Sequence, residues 1–133
     1  MVNALYDKGR QAFLNKDIDM VDDNIKAVLV DTRTYTVDLA AHDMHNDLSG
    51  VIATSGNMAS KTTTAGVFDA ADLTFSSVTG ATVEAVVIYR DSGTSSTSEL
   101  IAYIDTGTGL PVTPNGGDIT IAWDNGTNKI FKL

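Results

Sequence analysis

The sequence predicts a mainly β fold, an antiparallel β-sandwich or jelly-roll-like body carrying one N-terminal helix. Three observations point there. The acids divide into fifteen Asp and only two Glu, Glu84 and Glu99; Asp competes for backbone hydrogen bonds in turns, whereas Glu favours helix interiors. Seventeen Thr, nine Ser and eleven Gly accompany them, Thr being suited to strands and Gly, with Asp and Asn, to the turns between them. Beyond residue 50, short β-prone runs alternate with turn clusters at intervals of about 8 to 12 residues, the texture of a sandwich or barrel.

Taken in order, residues 3–16 are the helix candidate. Asn3 is placed to cap it, and Leu5, Gly9 and Phe13 fall at four-residue spacing with Tyr6 and Ala12 near the same stripe. The acidic stretch Asp17, Asp19, Asp22, Asp23 ends it, and residues 25–30 follow as a short, strongly apolar strand. Residues 39–48 read as a second, short helix, because Ala40, Met44 and Leu48 recur every four positions. The further strands are 51–54, 66–69, 73–78, 82–90, 99–105, 119–123 and 129–133. In 82–90, Val83, Ala85, Val87 and Tyr89 oppose Val86 and Ile88, the mark of a central strand covered on both faces. Ile119, Ile121 and Trp123 alternate with Thr120, Ala122 and Asp124, and a turn over 124–128 joins the last two strands as a C-terminal hairpin. The expected core contains Val28, Val30, Phe75, Val87, Ile104, Ile121 and Trp123.

A chain of 133 residues implies one domain, 1–133, with its helix at 3–16 and its β-rich body over 25–133. No apolar run approaches the roughly 20 residues of a membrane span, and the start carries no apolar block of signal-peptide type, so a soluble protein without membrane contact is expected. Nine Lys and Arg stand against seventeen Asp and Glu, a net charge of −8, with the cations scattered from Lys8 to Lys132. Phosphate-backbone binding draws on clustered cations, so no direct nucleic-acid role is expected. The absence of cysteine rules out disulfides, thiolate metal sites and a thiol nucleophile.

Three constellations invite a chemical reading. Asp105-Thr106-Gly107 and Asp91-Ser92-Gly93 resemble the triplets that place paired carboxylates in aspartic proteases. The fourteen-position separation of the two Asp leaves room only for one hairpin, and 26 residues after Gly107 are too few for a dimeric protease, so both read as turns. Asp17, Asp19, Asp22 and Asp23 suggest calcium, yet an EF-hand register puts Val21 and Val28 at ligand positions, so a solvated acidic connection is expected. His42 and His45, flanked by Asp43 and Asp47, would share one face of a helix, but with no third His they read as surface residues rather than a zinc site. No catalytic residue, metal site or cofactor is therefore assigned, and a non-enzymatic protein is expected.

Whole phrases carry more than these motifs do. NALYDKGRQAFL at 3–14, IKAVLVDTRTYTVDL at 25–39 and LIAYIDTGTGLPVTPNGGDITIAWDNGTNKIFKL at 100–133 bracket nearly the entire chain. In these the protein resembles a family of small virion structural proteins of tailed bacteriophages. The resemblance implies a virion component assembled in the host cytoplasm, with capsid decoration as a cement protein on the outer head surface as the leading placement and a tail, neck or fibre station next. Its implied partners are the phage major capsid protein and further copies of the chain, as a homotrimer. The competing class is a glycan-binding module, in which Tyr89, Tyr103 or Trp123 would stack on a sugar ring.

Overall fold

The computed structural model describes residues 4–106, 110–124, 126–127 and 129–133. Its elements are β1 (Ala4–Leu5), α1 (Asp7–Leu14), β2 (Ile25–Val30), β3 (Val51–Thr54), β4 (Val67–Phe68), β5 (Leu73–Phe75), β6 (Ala85–Arg90), β7 (Leu100–Ile104), β8 (Ile119–Ile121) and β9 (Phe131–Lys132). The fold is mainly β with one α-helix, and every strand pair is antiparallel. One five-stranded sheet runs in the order β1-β7-β6-β2-β3, and β4-β9 and β5-β8 form two separate two-stranded ribbons. The ribbons are not joined into a continuous second sheet, so the sandwich or jelly-roll arrangement is not confirmed.

The two central strands explain the core. Ala27 and Leu29 of β2 and Val86 and Ile88 of β6 face one side, where they pack with Phe68, Phe75, Ile121 and Trp123 from the ribbons. Val28, Val30, Ala85, Val87 and Tyr89 face the other, where Tyr6, Tyr35 and the half-buried Val37, Leu39 and Leu48 cover them. Strands apolar on both faces stay dry only when both layers arrive, as the alternation in 82–90 requires. Val83 is the exception: it lies before β6, bridges to Val112 and joins the ribbon side. All seven expected core residues are buried, Val28, Val30 and Val87 completely. Between β6 and β7, Ile88 pairs with Ala102 while Tyr89 pairs with Leu100, so Ile101 is the extra residue of a β-bulge.

Three local expectations are corrected. The N-terminal helix is shorter than 3–16: Ala4 and Leu5 pair with Tyr103 and Ala102 as β1, and α1 begins only at Asp7 after the fully buried Tyr6. The unpaired outer groups of β7 take precedence over one more helical turn, and the Tyr6 N–H donates to the Ile101 carbonyl at 3.0 Å. Asn3, the expected cap, lies outside the described residues. Once past β1, α1 occupies the rest of that edge, and Gly9 makes the fit: a Cβ there would meet the Leu100 carbonyl oxygen at 2.5 Å.

The helix expected over 39–48 is absent apart from one 3₁₀ turn, His45–Asp47. Asp38 caps a turn, its Oδ1 accepting from the N–H of Ala40 and Ala41 at 3.1 and 3.0 Å. The donors that would continue it are taken elsewhere: Asp47 Oδ2 accepts from the Asp43 N–H at 2.8 Å, and the Ser98 carbonyl accepts from the His45 N–H at 2.8 Å. Nor do the last two strands form a hairpin: β8 pairs with β5 and β9 with β4. Trp123 fixes the divergence, its backbone N–H donating to Asp72 Oδ1 at 2.9 Å and its indole N–H to the Ala71 carbonyl at 3.1 Å, which holds the end of β8 beside β5.

Candidate functional site

The two Asp triplets sit at opposite ends of the β6–β7 hairpin. Asp91 follows the last residue of β6, and Asp105 follows β7 opposite the first. At about 3.3 Å per residue the two carboxylates are roughly 20 Å apart, far too distant to share a proton. Asp91 accepts from the Gly93 N–H at 3.0 Å, as a turn residue does, and pairs with Lys26 Nζ at 2.8 Å. The Lys26 ammonium, with that N–H, holds the Asp91 carboxyl below the usual carboxylate range. Asp105 is half-buried beyond β7, and Gly107 lies outside the described residues.

His42 and His45 do not share a face, because the helix that would have aligned them is not formed. His42 Nδ1 lies 2.9 Å from the Tyr35 hydroxyl, and the His45 ring packs edge-on against Tyr89 with centroids 4.7 Å apart. Both are half-buried, which corrects their reading as surface residues. Burial pushes the His45 imidazole down, opposed by the Asp91 carboxylate. The Tyr35 hydroxyl also meets the Tyr6 hydroxyl, and burial pushes the phenol of Tyr6 up. This buried chain from α1 to the 31–50 cover had no signal in the sequence, since Tyr6 and Tyr35 are 29 residues apart. Among the described residues no three His, Asp or Glu side chains are grouped to hold a metal ion. The candidate sugar-stacking residues are also in the core, with Tyr89 5 %, Tyr103 4 % and Trp123 7 % exposed.

The acidic stretch is the solvated connection between α1 and β2 that was expected, with Asp17, Asp19 and Asp22 exposed and Asp23 half-buried, and it is folded as well. Asp19 Oδ1 accepts from the N–H of Val21 at 2.9 Å and of Asp22 at 3.1 Å, while Asp23 Oδ2 accepts from the Asp19 N–H at 2.8 Å. The compact turn so formed places Ile18 and Met20 in the core and leaves Val21 52 % exposed. Lys16, at φ 67°, ends α1 in the left-handed region and lets the chain double back. An apolar groove of about 400 Å³ results, walled by Phe13 of α1, by Met20 and Val21 of the turn, and by Phe68 and Phe131 of the β4–β9 ribbon. The Phe68 and Phe131 rings lie 5.3 Å apart, and Leu133, 58 % exposed, also lines the groove. The alternation of Asp with Ile18, Met20 and Val21 was the available sign that this stretch has an apolar side.

No protein-family model matches the chain, and no curated protein matches it. The groove has an apolar floor, open access and one charge of each sign in its lining, Lys16 and Asp19, so its chemistry is that of holding an apolar group by contact.

Proposed function

We propose that the protein is a non-enzymatic structural component of a tailed-phage particle, a decoration protein that attaches to the outer face of the head as a homotrimer. The reading takes its family from the resemblance in residues 3–14, 25–39 and 100–133. The structural observation that carries it is the apolar groove at α1 and the β4–β9 ribbon, on a chain whose net charge is −8. Open apolar surface of this kind marks an attachment site. The acidity supports an outer station, since packaged DNA repels an anionic protein. A closed ring of three matches the local threefold positions of a capsid.

Particles assembled without the protein test this reading. Electron microscopy of such particles should show intact tails and heads that lack surface protrusions and break more readily on heating, and light scattering of the purified protein should give three times the chain mass. Heads unchanged with tails or adsorption lost would overturn the head placement in favour of a tail, neck or fibre station.

A further inference from the structure

We infer that the cavity between β1, β7 and residues 124–132 binds a phosphate monoester, a small organic body carrying one phosphate group. The cavity has a volume of about 320 Å³, within the range of small-molecule sites. Its charged lining is three cations and a single acid, Arg10, Lys129 and Lys132 against Asp124. The whole chain has the opposite balance, with nine cations against seventeen acids. Folding thus gathers a third of the cations, from the two ends of the sequence, about one cavity. The site stands apart from the apolar groove and does not depend on how the protein attaches to a particle.

These cations are uncommitted. Neither Lys129 nor Lys132 makes an ion pair or a side-chain hydrogen bond among the described residues, although acids are in excess. Arg10 meets Asp7 at 3.1 Å, but both side chains are more than half exposed, so water screens the pair and leaves the guanidinium able to turn to a ligand. The one acid is engaged by its own turn, Asp124 Oδ1 accepting from the Gly126 N–H at 3.0 Å. Lys129 stands at φ 48°, in the left-handed region that glycine occupies without strain and lysine does not. Its neighbour Ile130 fixes it there, with a side chain in the core and an N–H that donates to the Phe68 carbonyl at 3.1 Å. Strain of this kind marks a position held for its side chain. The surplus of positive charge in the lining suits a phosphate monoester, which carries about −1.5 to −2 at pH 7. Arg10 offers a planar fork of N–H groups and the two lysines offer point charges. Leu5, Ile104 and Ile130 give the organic body an apolar wall. A nucleic-acid backbone needs a row of such cations and finds only this cluster.

The test is isothermal titration calorimetry of the purified protein at pH 7 in a low-salt buffer free of phosphate, with phenyl phosphate, phenol and succinate as probes. Phenyl phosphate should bind at one per chain and less tightly as salt rises, phenol should not bind, and succinate, a dianion without the phosphate group, should bind about tenfold more weakly or not at all. Arg10→Gln and Lys132→Gln, both at exposed positions, should each weaken phenyl phosphate binding about fivefold or more. Lys129→Gly should weaken it as much without lowering the melting temperature, because glycine is unstrained at that φ. Lys8→Gln removes the same charge from α1 outside the cavity and should leave binding within about twofold of the parent. Failure of phenyl phosphate to bind, or a Lys129→Gly variant that binds as the parent does, would overturn the inference. Succinate binding as well as phenyl phosphate, or an equal loss in Lys8→Gln, would reduce the effect to general attraction for anions and overturn it too.

Discussion

The hydroxyl of Tyr6 lies 2.8 Å from the hydroxyl of Tyr35. This contact joins the start of α1 to the segment that covers one face of the sheet, and Tyr35 passes it on to His42 at 2.9 Å. The middle member of such a chain is the costly one to lose. Tyr35→Phe strips a partner from both neighbours and leaves the Tyr6 hydroxyl buried and unpaired, so it should cost about 1–3 kcal/mol. Tyr6→Phe leaves Tyr35 bonded to His42 and should cost about 1 kcal/mol. Urea unfolding should rank them in that order, with the double variant less destabilised than the sum; a reversed order would mean that Tyr35 does not hold the chain together.

Alkali should unfold the protein through its buried phenols. Burial pushes the Tyr89 hydroxyl up to about 12, with the Asp91 carboxylate adding to it, and burial likewise raises Tyr6, Tyr35 and Tyr103. The unfolded chain loses these protons near its ordinary value of about 10 while the native one keeps them, so stability is full below about pH 10 and is lost as pH rises through the folded values. Melting temperature measured against pH should fall from about pH 10 upward, and Tyr89→Phe should soften that fall.

Acid should act in two steps. His45 is held below its ordinary value by burial, so the unfolded chain takes up a proton first and stability begins to drop below about pH 6.5. Asp91 is held low by Lys26 and Asp47 by the backbone N–H groups of Asp43 and Met44, and their contribution is lost as pH falls below about 4. His45→Gln should abolish the first step and spare the second. An unchanged profile between the two would remove His45 from the account.

Gly9→Ala should destabilise, although alanine is the better helix former. The added Cβ would stand 2.5 Å from the Leu100 carbonyl oxygen and 3.2 Å from Ile101 Cα, both backbone atoms of β7. Moving α1 off that edge outweighs the helix-propensity gain of about 1 kcal/mol and should leave a net loss of about 1–3 kcal/mol. A stabilised variant would show that α1 does not rest on β7.

Ile121→Asp places a carboxylate at a site 2 % exposed, between the β5–β8 ribbon and the sheet. The loss should exceed about 4 kcal/mol and leave no cooperative thermal transition. A soluble variant with a normal transition would show this layer to be loosely attached.

The parts of the fold legible in the sequence are those decided by a few neighbouring residues. Residues 82–90 carry apolar side chains on both alternating sets, which is enough to place β6 in the middle of the sheet. Partner choice is not local. Proximity along the chain suggests that 119–123 and 129–133 pair with one another, yet the bonds from Trp123 to Ala71 and Asp72, about fifty residues away, send β8 to β5. Over 39–48 the four-residue spacing of apolar side chains is real, and Asp47 and the distant Ser98 override it by capturing the N–H groups of Asp43 and His45. The groove was concealed for a related reason: the density of acids over 17–23 obscures that Ile18 and Met20 are core residues and Val21 is not.

The two margins of the five-stranded sheet are unequal. β1 and then α1 close off the outer side of β7, whereas β3 has no strand beyond it among the described residues. An uncovered strand is a template on which another chain can pair. Residues 4–14 therefore shield the backbone of β7 as well as support the core, and their removal would lay bare the N–H and C=O groups of an apolar strand.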